Sequence, residues 1–522
     1  MVDRALIGRS GTESRDVRNR SIRTARSEFG PWPRWALVAL VAFGLGVRIW
    51  AMSTRLGVAN SDDSIVGLMA IRHLRGEFYI YYWGQRYGGS FEPYLTAFFF
   101  SFLPRNGWTL RLTPVVLHAA SALLLARIAR RFVVRSIATF AGLLWWIAPP
   151  IGILWSIHAG GYYGILVATG LGTMLLTLRL TEAPTRRDAL ALGLVVAVGV
   201  WASPQYVLLA AAPVALMVWR RPSVTRFSPW TLAVSGPLLA PWVAYQLKYE
   251  WAGVTPPDNP NPLAYLERVG VFFRGVPMLF GAQVPNEGDW VVPGSVLFLG
   301  LVLVAIAAAI VQVGRRDRWQ AAWLLVTGGT VPFAFAISPL ASEPHIIRYF
   351  YPVAPLAMLL VVLGLRSRRS VALVAVLAIL AGVVGIRQAE SHAVERPGCA
   401  YELVPEDLDP LIAELDRRGD TRVWAEYFTA FRLTFATRER IIAAPTDILR
   451  FNEYNDIVWA ARPGVYVYPA AESFPREQFA AAEVTFVSTT VGEFTIYELA
   501  RRDPGPRDLG LQQPVHARPA CF

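Results

Sequence analysis

The feature that most limits the fold of this chain is a series of apolar stretches, each long enough to cross a lipid bilayer. A transmembrane helix needs roughly 17–25 predominantly apolar residues. The first stretch covers residues 35–52, and because no small-residue cleavage site follows it, we expect a retained span rather than a signal peptide. Further stretches, some of them short or interrupted by proline, lie at residues 108–128, 136–156, 162–180, 188–203, 204–219, 229–247, 292–313, 319–338, 349–365 and 370–388. The pattern predicts a polytopic α-helical membrane protein with about eleven transmembrane helices.

The composition agrees with this prediction. Hydrophobic residues make up 54% of the 522 residues and charged residues only 17%, whereas soluble domains carry about 25% charged residues. The net charge of +12 comes from short arginine clusters between apolar stretches, a pattern typical of membrane topology, so we expect no nucleic-acid partner. The single lysine, Lys248, does not follow a glycine-rich loop, which excludes a P-loop nucleotide site.

The arginine clusters predict the topology. With residues 1–34 as a disordered basic cytoplasmic tail, every dense cluster falls on the cytoplasmic side, as the positive-inside rule requires. The outer loops are then residues 53–107, 157–161, a tight turn near residue 203, 248–291 and 339–348, together with everything after residue 388. This topology requires that residues 91–103 form a helix in the outer interface and do not cross. We therefore expect a multi-pass cell-membrane protein with a transmembrane module at residues 35–388.

Residues 389–522 are more polar and predict a small extracytoplasmic α/β domain. An amphipathic helix is expected at residues 406–418, a hairpin turning at Gly492, and strands at residues 422–427, 441–444, 464–468, 484–490 and 494–499. Both cysteines, Cys399 and Cys521, lie in this domain. A disulfide between them fits an oxidising compartment, and two free thiols are the alternative.

The first outer loop, residues 53–107, carries an acidic pair, Asp62 and Asp63, after Asn60 and Ser61. Adjacent carboxylates beside a membrane are costly unless they are solvated, paired or used, and two like charges can raise one pKa, which suits a general base. A structural role explains the same residues: Asn60 or Ser61 can cap a helix, whose first turn favours acidic residues. The residues alone leave both interpretations open.

The order of motifs resembles a known superfamily. The acidic pair is followed by aromatic residues 79–82, Gly84-Gln85-Arg86-Tyr87, Glu92-Pro93-Tyr94 and Arg111-Leu112-Thr113-Pro114; later come the segment 348–355, which begins Arg348-Tyr349, and the segments 424–435 and 450–454. This arrangement resembles the GT-C superfamily of integral membrane glycosyltransferases, in particular the protein O-mannosyltransferase and aminoarabinose-transferase relatives of family 39. The resemblance implies a GT-C-like transmembrane module with a catalytic first outer loop at residues 53–107.

The resemblance also implies a reaction. A sugar moves from a polyprenyl-phosphate donor to an acceptor hydroxyl at the outer face of the membrane, with Asp62 as general base and Asp63 orienting or replacing it. Arg348 is the implied clamp for the donor phosphate, because a guanidinium can hold a phosphate with two hydrogen bonds. Tyr349, Arg86 and Tyr87 are expected to assist. The alternatives are that Arg348 anchors a span at the interface and that Arg86 pairs with Glu92.

The sequence departs from the superfamily pattern at two points. Many members carry a lysine before paired prolines, whereas this chain has Glu92 before Pro93, so Glu92 is expected to contact the acceptor instead. Some relatives carry a second acid in the next outer loop, where this chain has His158; we expect a proton shuttle or an interface histidine. His345, just before Arg348, is a further candidate for the acceptor site or the proton path.

The sequence leaves the substrates open. No metal-ligand spacing is evident, so no cofactor is assigned and a divalent metal ion stays an open question. The acceptor is a cell-envelope protein, lipid or polysaccharide, and the sugar is not specified. The alternative function is a transporter or flippase of lipid-linked sugars, which should show inverted repeats and ionisable residues near the middle of its spans. The sequence shows neither.

Overall fold

The computed structural model describes residues 32–251, 254, 263–284, 288–337, 350–365, 367–395, 407–470, 474–500 and 505–511. The predictions for five residues lie outside these ranges: Arg348, Tyr349, His345, Cys399 and Cys521. The predicted tail lies outside them too, except for its last residues from Trp32 onward.

The transmembrane module is a succession of helices joined by short connections. Its first part contains α1 (Arg34–Met52), α2 (Ser61–His73), α3 (Phe91–Phe100), α4 (Gly107–Ala129), α5 (Arg135–Ile147), α6 (Pro150–Trp155), α7 (Tyr163–Glu182), α8 (Arg186–Ala202), α9 (Tyr206–Arg220) and α10 (Ser228–Lys248). Its second part contains α11 (Tyr265–Leu279), α12 (Ser295–Arg316), α13 (Arg318–Ile337), α14 (Ala354–Leu363) and α15 (Arg368–Glu395). Short 3₁₀ helices lie at Arg55–Gly57, Pro222–Phe227 and Tyr351–Val353.

Six helices in the described part of the chain are long and apolar enough to cross a membrane: α1, α4, α7, α12, α13 and α15. The segments Tyr206–Arg220 and Pro222–Lys248 are bent by 113° relative to each other and add a seventh span if they are counted as one. The predicted count of about eleven spans is therefore not confirmed, because several predicted spans form helices shorter than a bilayer crossing. A multi-pass helical membrane protein is confirmed at this coarser level.

The predicted span at residues 136–156 shows how a proline break is stabilised. It is divided into α5 and α6, which leaves the last carbonyls of α5 without helical partners. Arg48 Nη1 donates to the Trp146 carbonyl at 2.9 Å, and His118 Nε2 lies 3.0 Å from the Trp145 carbonyl, which can only accept. Such groups must be satisfied internally where lipid excludes water. This explains why Arg48 and His118 are buried inside the spans.

The first outer loop forms two helices. The predicted helix start after Asn60 is confirmed, whereas the predicted position of residues 91–103 in the outer interface stays a prediction. Helix α2 begins where the capping residues predicted, with the Asn60 side chain accepting from the Asp63 amide and the Asp63 side chain accepting from the Asn60 amide. Helix α3 has ten residues. At 1.5 Å per residue, α3 covers about half of a hydrocarbon core of about 30 Å, so it does not cross.

The C-terminal part forms a small five-stranded sheet domain, as predicted. Its elements are α16 (Asp409–Arg418), β1 (Arg422–Ala425), α17 (Tyr427–Ala436), β2 (Ile442–Pro445), α18 (Asn452–Ala461), β3 (Val465–Pro469), α19 (Phe474–Ala481), β4 (Phe486–Val491) and β5 (Phe494–Leu499). The strand order is β2-β1-β3-β5-β4, with β1 parallel to β2 and β3, and β5 antiparallel to β3 and β4. Gly492, at φ 57°, makes the predicted β4–β5 turn.

Strand β1 ends earlier than the sequence predicted, and the reason is a helix cap. The Glu426 carboxylate accepts hydrogen bonds from the Phe428 amide at 2.9 Å and the Thr429 amide at 3.2 Å. These bonds satisfy the first free amides of α17. The chain therefore turns from strand to helix at residue 426.

The sheet domain shares one hydrophobic core with the first outer loop. Ile65 and Leu68 of α2 and Phe431 and Phe435 of α17 all belong to this core. A Cβ atom on Gly67 would lie 2.4 Å from the Phe435 ring, so the two helices are in close contact. The first outer loop and the C-terminal domain therefore pack as one unit.

Arg72 reinforces this packing. Its side chain is 7% exposed and donates to Glu439 at 2.9 Å and to both carboxylate oxygens of Glu453 at 2.8 Å. The Tyr454 hydroxyl donates to the same Glu439 at 2.6 Å. One guanidinium from α2 thus neutralises two carboxylates of the C-terminal domain.

Candidate active site

The Asp63 carboxylate is fixed at the start of α2 by three groups. Its Oδ1 accepts from the Ala159 amide at 2.5 Å, and its Oδ2 lies 3.0 Å from His158 Nδ1 and 3.0 Å from the Asn60 amide. Burial alone would raise the pKa of Asp63, but His158, the nearby Arg111 and the Asn60 amide hold it below its ordinary value. Asp63 is therefore an ionised, buried carboxylate with both oxygens engaged.

Asp62 differs from Asp63 in its exposure and in its partners. It is only partly buried, and its Oδ1 accepts from the Tyr427 hydroxyl at 2.6 Å. Its backbone carbonyl accepts from the Tyr82 hydroxyl at 2.8 Å. No hydrogen bond reaches Asp62 Oδ2 from the residues that the structure describes. Of the acidic pair, Asp62 thus presents the oxygen that a substrate hydroxyl can reach.

Tyr427 stays protonated in this arrangement. Burial, reinforced by the negative charge of Asp62, raises the pKa of Tyr427 well above its ordinary value. The Tyr427 hydroxyl therefore donates to Asp62, and it accepts from Arg450 Nε at 3.3 Å. The Ser61 hydroxyl also donates to the Tyr427 backbone carbonyl, which ties α17 to the start of α2.

Glu92 is buried, with 1% of its surface exposed, and lies near enough to Asp63 to interact with its charge. Burial, together with the negative charge of Asp63, raises the pKa of Glu92 to about 8, against the opposing effect of a hydrogen bond from the Gly161 amide. Its Oε2 has no partner in the described part of the chain. Glu92 is thus a largely neutral acid at neutral pH.

This environment makes stability depend on pH through Glu92. A carboxyl whose folded pKa is raised stabilises the fold below its unfolded value of 4.5, and this contribution is lost as pH rises towards about 8. In the wild type, Glu92 should lower the free energy of unfolding by about 3 kcal/mol between pH 5 and pH 8, and Glu92→Gln should abolish this change. Thermal unfolding at both pH values measures the difference. The exposed Glu477→Gln serves as the control, and an unchanged slope in Glu92→Gln would contradict the assignment.

His158 contacts Asp63 of the acidic pair, a position that its predicted role as a proton shuttle requires. Because the Asp63 carboxylate only accepts, the 3.0 Å contact places the proton on His158 Nδ1. The His158 side chain is 20% exposed. Its ring is therefore oriented by Asp63 and remains open to solvent on another side.

Arg86 and Tyr87, which were predicted to assist at the donor phosphate, contact other residues than the acidic pair. Arg86 is exposed and packs over the Tyr249 ring at 5.7 Å, while its carbonyl accepts from Gln246 at the end of α10. Tyr87 packs edge-on against Tyr162, with ring centroids 6.2 Å apart. Among the described residues, no hydrogen bond or ion pair joins Arg86 to Glu92 or to the acidic pair.

Sequence reasoning did not assign the residues that the C-terminal domain brings to Asp62 and Asp63. Tyr427 and Arg450 form a hydrogen-bonded chain to Asp62. Arg432 of α17 is buried and lies near enough to Asp63 to interact with its charge. The segments 424–435 and 450–454, which carried part of the superfamily resemblance, contain all three residues. The resemblance of these two segments to the superfamily was therefore the feature of the sequence that could have indicated these residues.

In the described part of the chain, no group of three or more histidine, cysteine, aspartate or glutamate side chains is placed to hold a metal ion. Asp63 and His158 are in contact, but their facing atoms bond to each other.

The chain is similar to one protein-family model and to several solved structures. Residues 90–245 match the family model described as dolichyl-phosphate-mannose-protein mannosyltransferase. No curated protein matches the chain by sequence. Among solved structures, the chain is similar to ArnT from Cupriavidus metallidurans in the apo state, with 12% identity and a TM-score of 0.57 over 92% of this chain and 99% of that chain.

A second similar fold is the oligosaccharyltransferase of Archaeoglobus fulgidus. Its apo form is 14% identical, with a TM-score of 0.50 over 90% of this chain and 74% of that chain. Its complex with Zn and sulfate is 12% identical, with a TM-score of 0.50 over 87% and 72%. At such identities the likeness is one of fold. The chain has the fold of the GT-C superfamily of integral membrane glycosyltransferases, and the resemblance predicted from its sequence is confirmed.

Proposed function

We propose that the protein transfers a sugar from a polyprenyl-phosphate donor to an acceptor hydroxyl at the outer face of the membrane. The observation that carries the proposal is the division of roles within the acidic pair. Asp63 is buried with both oxygens engaged, whereas Asp62 is partly exposed and keeps one oxygen without a hydrogen-bond partner among the described residues. The matched family model describes enzymes that use a lipid-phosphate sugar, which supports this donor class.

In the proposed reaction, Asp62 Oδ2 accepts the proton of the acceptor hydroxyl. The acceptor oxygen forms a bond to the anomeric carbon while the bond from that carbon to the phosphate oxygen breaks, and its electrons stay on the polyprenyl phosphate. Tyr427 orients Asp62 by donating to the other oxygen, Oδ1, at 2.6 Å. A general base must be held within hydrogen-bonding reach of the proton that it removes.

Asp63 acts as a positioning residue in this proposal. It holds the start of α2 through the capping box, and it holds the loop after α6 through His158 and Ala159. These contacts fix the backbone that carries Asp62. His158 is the proposed route by which a proton leaves the site, because its ring is oriented by Asp63 and is partly exposed.

The donor lipid requires an apolar path between the spans. A cleft lies between α7, α9, α11, α13 and the 3₁₀ helix Tyr351–Val353. Its lining is almost entirely apolar: Leu166, Leu208, Leu209, Phe272, Val331, Phe335, Pro352 and Val353, with Gln205 as the polar exception. An isoprenoid chain fits such a lining by the hydrophobic effect. Arg348 and Tyr349, which precede this 3₁₀ helix in sequence, remain the proposed contacts to the phosphate.

The orientation follows from the same proposal. The first outer loop and the C-terminal domain share a core and must lie on the same side of the membrane. The positive-inside rule puts residues 1–34 in the cytoplasm and this unit outside. The proposed division is therefore a transmembrane module at residues 35–388 and an extracytoplasmic domain at residues 389–522 that packs on loop 53–107.

The proposal is tested by a screen of donors. The purified protein in lipid nanodiscs is mixed with polyprenyl-phosphate mannose, arabinose or glucose and with cell-envelope acceptors. We expect one donor to yield free polyprenyl phosphate together with a glycosylated acceptor. Donors that stay intact across the whole panel would contradict the proposal.

A transporter or flippase of lipid-linked sugars is the alternative. Arg48 and His118, two ionisable side chains that are buried within spans, both bond to the carbonyls at the α5–α6 break, so their burial has a structural reason. These two residues therefore give no separate support to a transport path. Movement of an intact lipid-linked sugar across sealed vesicles would favour the alternative.

A further inference from the structure

Arg450 lies at the junction of the C-terminal domain and the acidic pair. It precedes α18, and its Nε donates to the Tyr427 hydroxyl at 3.3 Å, while Tyr427 donates to Asp62. Its guanidinium carbon lies 5.7 Å from the centre of the Tyr427 ring. Arg450 is therefore two hydrogen bonds away from the proposed general base.

The guanidinium of Arg450 differs from its neighbours in what it binds. Arg72, Arg75 and Arg418 each donate to carboxylates of the protein. Arg450 forms no ion pair within the described residues, and its terminal nitrogens, Nη1 and Nη2, have no hydrogen-bond partner there. These nitrogens are not fully buried, so an anion can reach them.

The charge on this group is permanent. Tyr427 and Asp62 raise the pKa of Arg450 in spite of its partial burial. A planar guanidinium with two free terminal nitrogens matches the oxygens of a phosphate and forms two charge-assisted hydrogen bonds with it. Lysine cannot supply this geometry, and the sequence has no lysine in the first outer loop to do so.

The first outer loop makes room for Arg450. Gly84, at φ 70°, lies so close that a Cβ atom would be 2.5 Å from Arg450 Cδ and 2.7 Å from its Cα. Any other residue at position 84 would push Arg450 away from Tyr427. Gly84 and Arg450 come from different parts of the chain, yet they define one edge of the space beside Asp62.

We propose that Arg450 binds the phosphate of the donor and that the C-terminal domain thereby supplies part of the active site. The inference rests on the proposed function. A single displacement needs the base and the leaving phosphate on opposite sides of the anomeric carbon, a few ångströms apart. In this proposal Asp62, which is linked to Arg450 through Tyr427, serves as the base, and Arg450 contacts the leaving phosphate. The guanidinium neutralises the charge that the phosphate gains as its bond to the sugar breaks.

The experiment compares full-length Arg450→Gln and Arg450→Lys with the wild type. The probe is polyprenyl monophosphate, whose binding is measured in nanodiscs, alongside KM for the donor and for the acceptor. We expect Arg450→Gln to weaken polyprenyl phosphate binding by about 10–100-fold, since hydrogen bonds to charged groups contribute about 1.5–3 kcal/mol. Arg450→Lys should bind polyprenyl phosphate more weakly than the wild type and more tightly than Arg450→Gln, because it keeps the charge and loses the planar guanidinium.

Control variants distinguish a specific loss of phosphate binding from misfolding and from a failure of the proposed function. Arg440→Gln removes an exposed arginine that pairs with Asp416, and it should bind like the wild type. Gly84→Ala should weaken binding without changing any charge, which keeps the inference testable if Arg450→Gln folds poorly. Wild-type protein that neither binds polyprenyl phosphate nor releases it overturns the proposed function. Wild-type binding that Arg450→Gln retains, or a rise in KM for the acceptor alone, overturns only the role of Arg450.

Discussion

Asp62→Asn is expected to lower turnover by about 10²–10⁴-fold while the protein remains folded. The amide cannot take the proton of the acceptor hydroxyl, but its oxygen can still accept from the Tyr427 hydroxyl that lies 2.6 Å from Asp62 Oδ1. The start of α2 should therefore keep its position. Release of polyprenyl phosphate per unit time, with thermal unfolding measured on the same preparation, checks both parts of this expectation.

Asp63→Asn is the matched control for this variant, because it makes the same chemical change one residue away. The new amide group would face donors at Ala159, His158 and Asn60, and at least one of them would lose its acceptor. A buried donor without a partner costs about 1–3 kcal/mol, so this variant should lose stability as well as activity. Full turnover in both variants would remove the acidic pair from the active site.

Arg72→Met is expected to loosen the C-terminal domain from the first outer loop. The change leaves Glu439 buried with less compensating charge and removes both hydrogen bonds to Glu453. Breaking a buried ion-pair network costs about 3–5 kcal/mol. Thermal unfolding and limited proteolysis of the C-terminal domain measure the effect, and activity should fall because Tyr427 and Arg450 reach Asp62 only from the docked domain.

Arg417→Met provides the comparison. Arg417 also pairs with a carboxylate, Glu414, but it is 70% exposed. Exposed pairs contribute about 0–1 kcal/mol, so this variant should unfold and resist protease like the wild type. Equal behaviour of Arg72→Met and Arg417→Met would mean that the Arg72 network does not hold the domain in place.

Local chemistry made part of this structure predictable. The start of α2 followed from Asn60, one of the two capping residues that the sequence offered, because a helix cap involves only residues a few positions apart. The β4–β5 hairpin followed from Gly492 between two alternating segments. The short α3 followed from the requirement that the arginine clusters stay on one side. For the start of α2 and the hairpin, neighbouring residues determine the outcome.

The rest depends on contacts between distant parts of the chain. Tyr427 lies 365 positions after Asp62, and no periodicity within either segment indicates that they meet. The same is true of Arg72 and Glu439, which are 367 positions apart. The number of spans was also not predictable, because prolines divide apolar stretches into helices whose partners, such as Arg48 and His118, lie in other spans.

We propose that this chain breaks the bond between a sugar and a polyprenyl phosphate with the help of Asp62. A doubly labelled donor in sealed vesicles that carry the wild type or Asp62→Asn tests this reaction, because the sugar label and the lipid label are followed separately. For the wild type we expect the two labels to separate, with the sugar on the acceptor and the lipid as free phosphate, and for Asp62→Asn we expect them to stay together. Two labels that cross the membrane together on an intact donor, or that separate equally in both proteins, would contradict it.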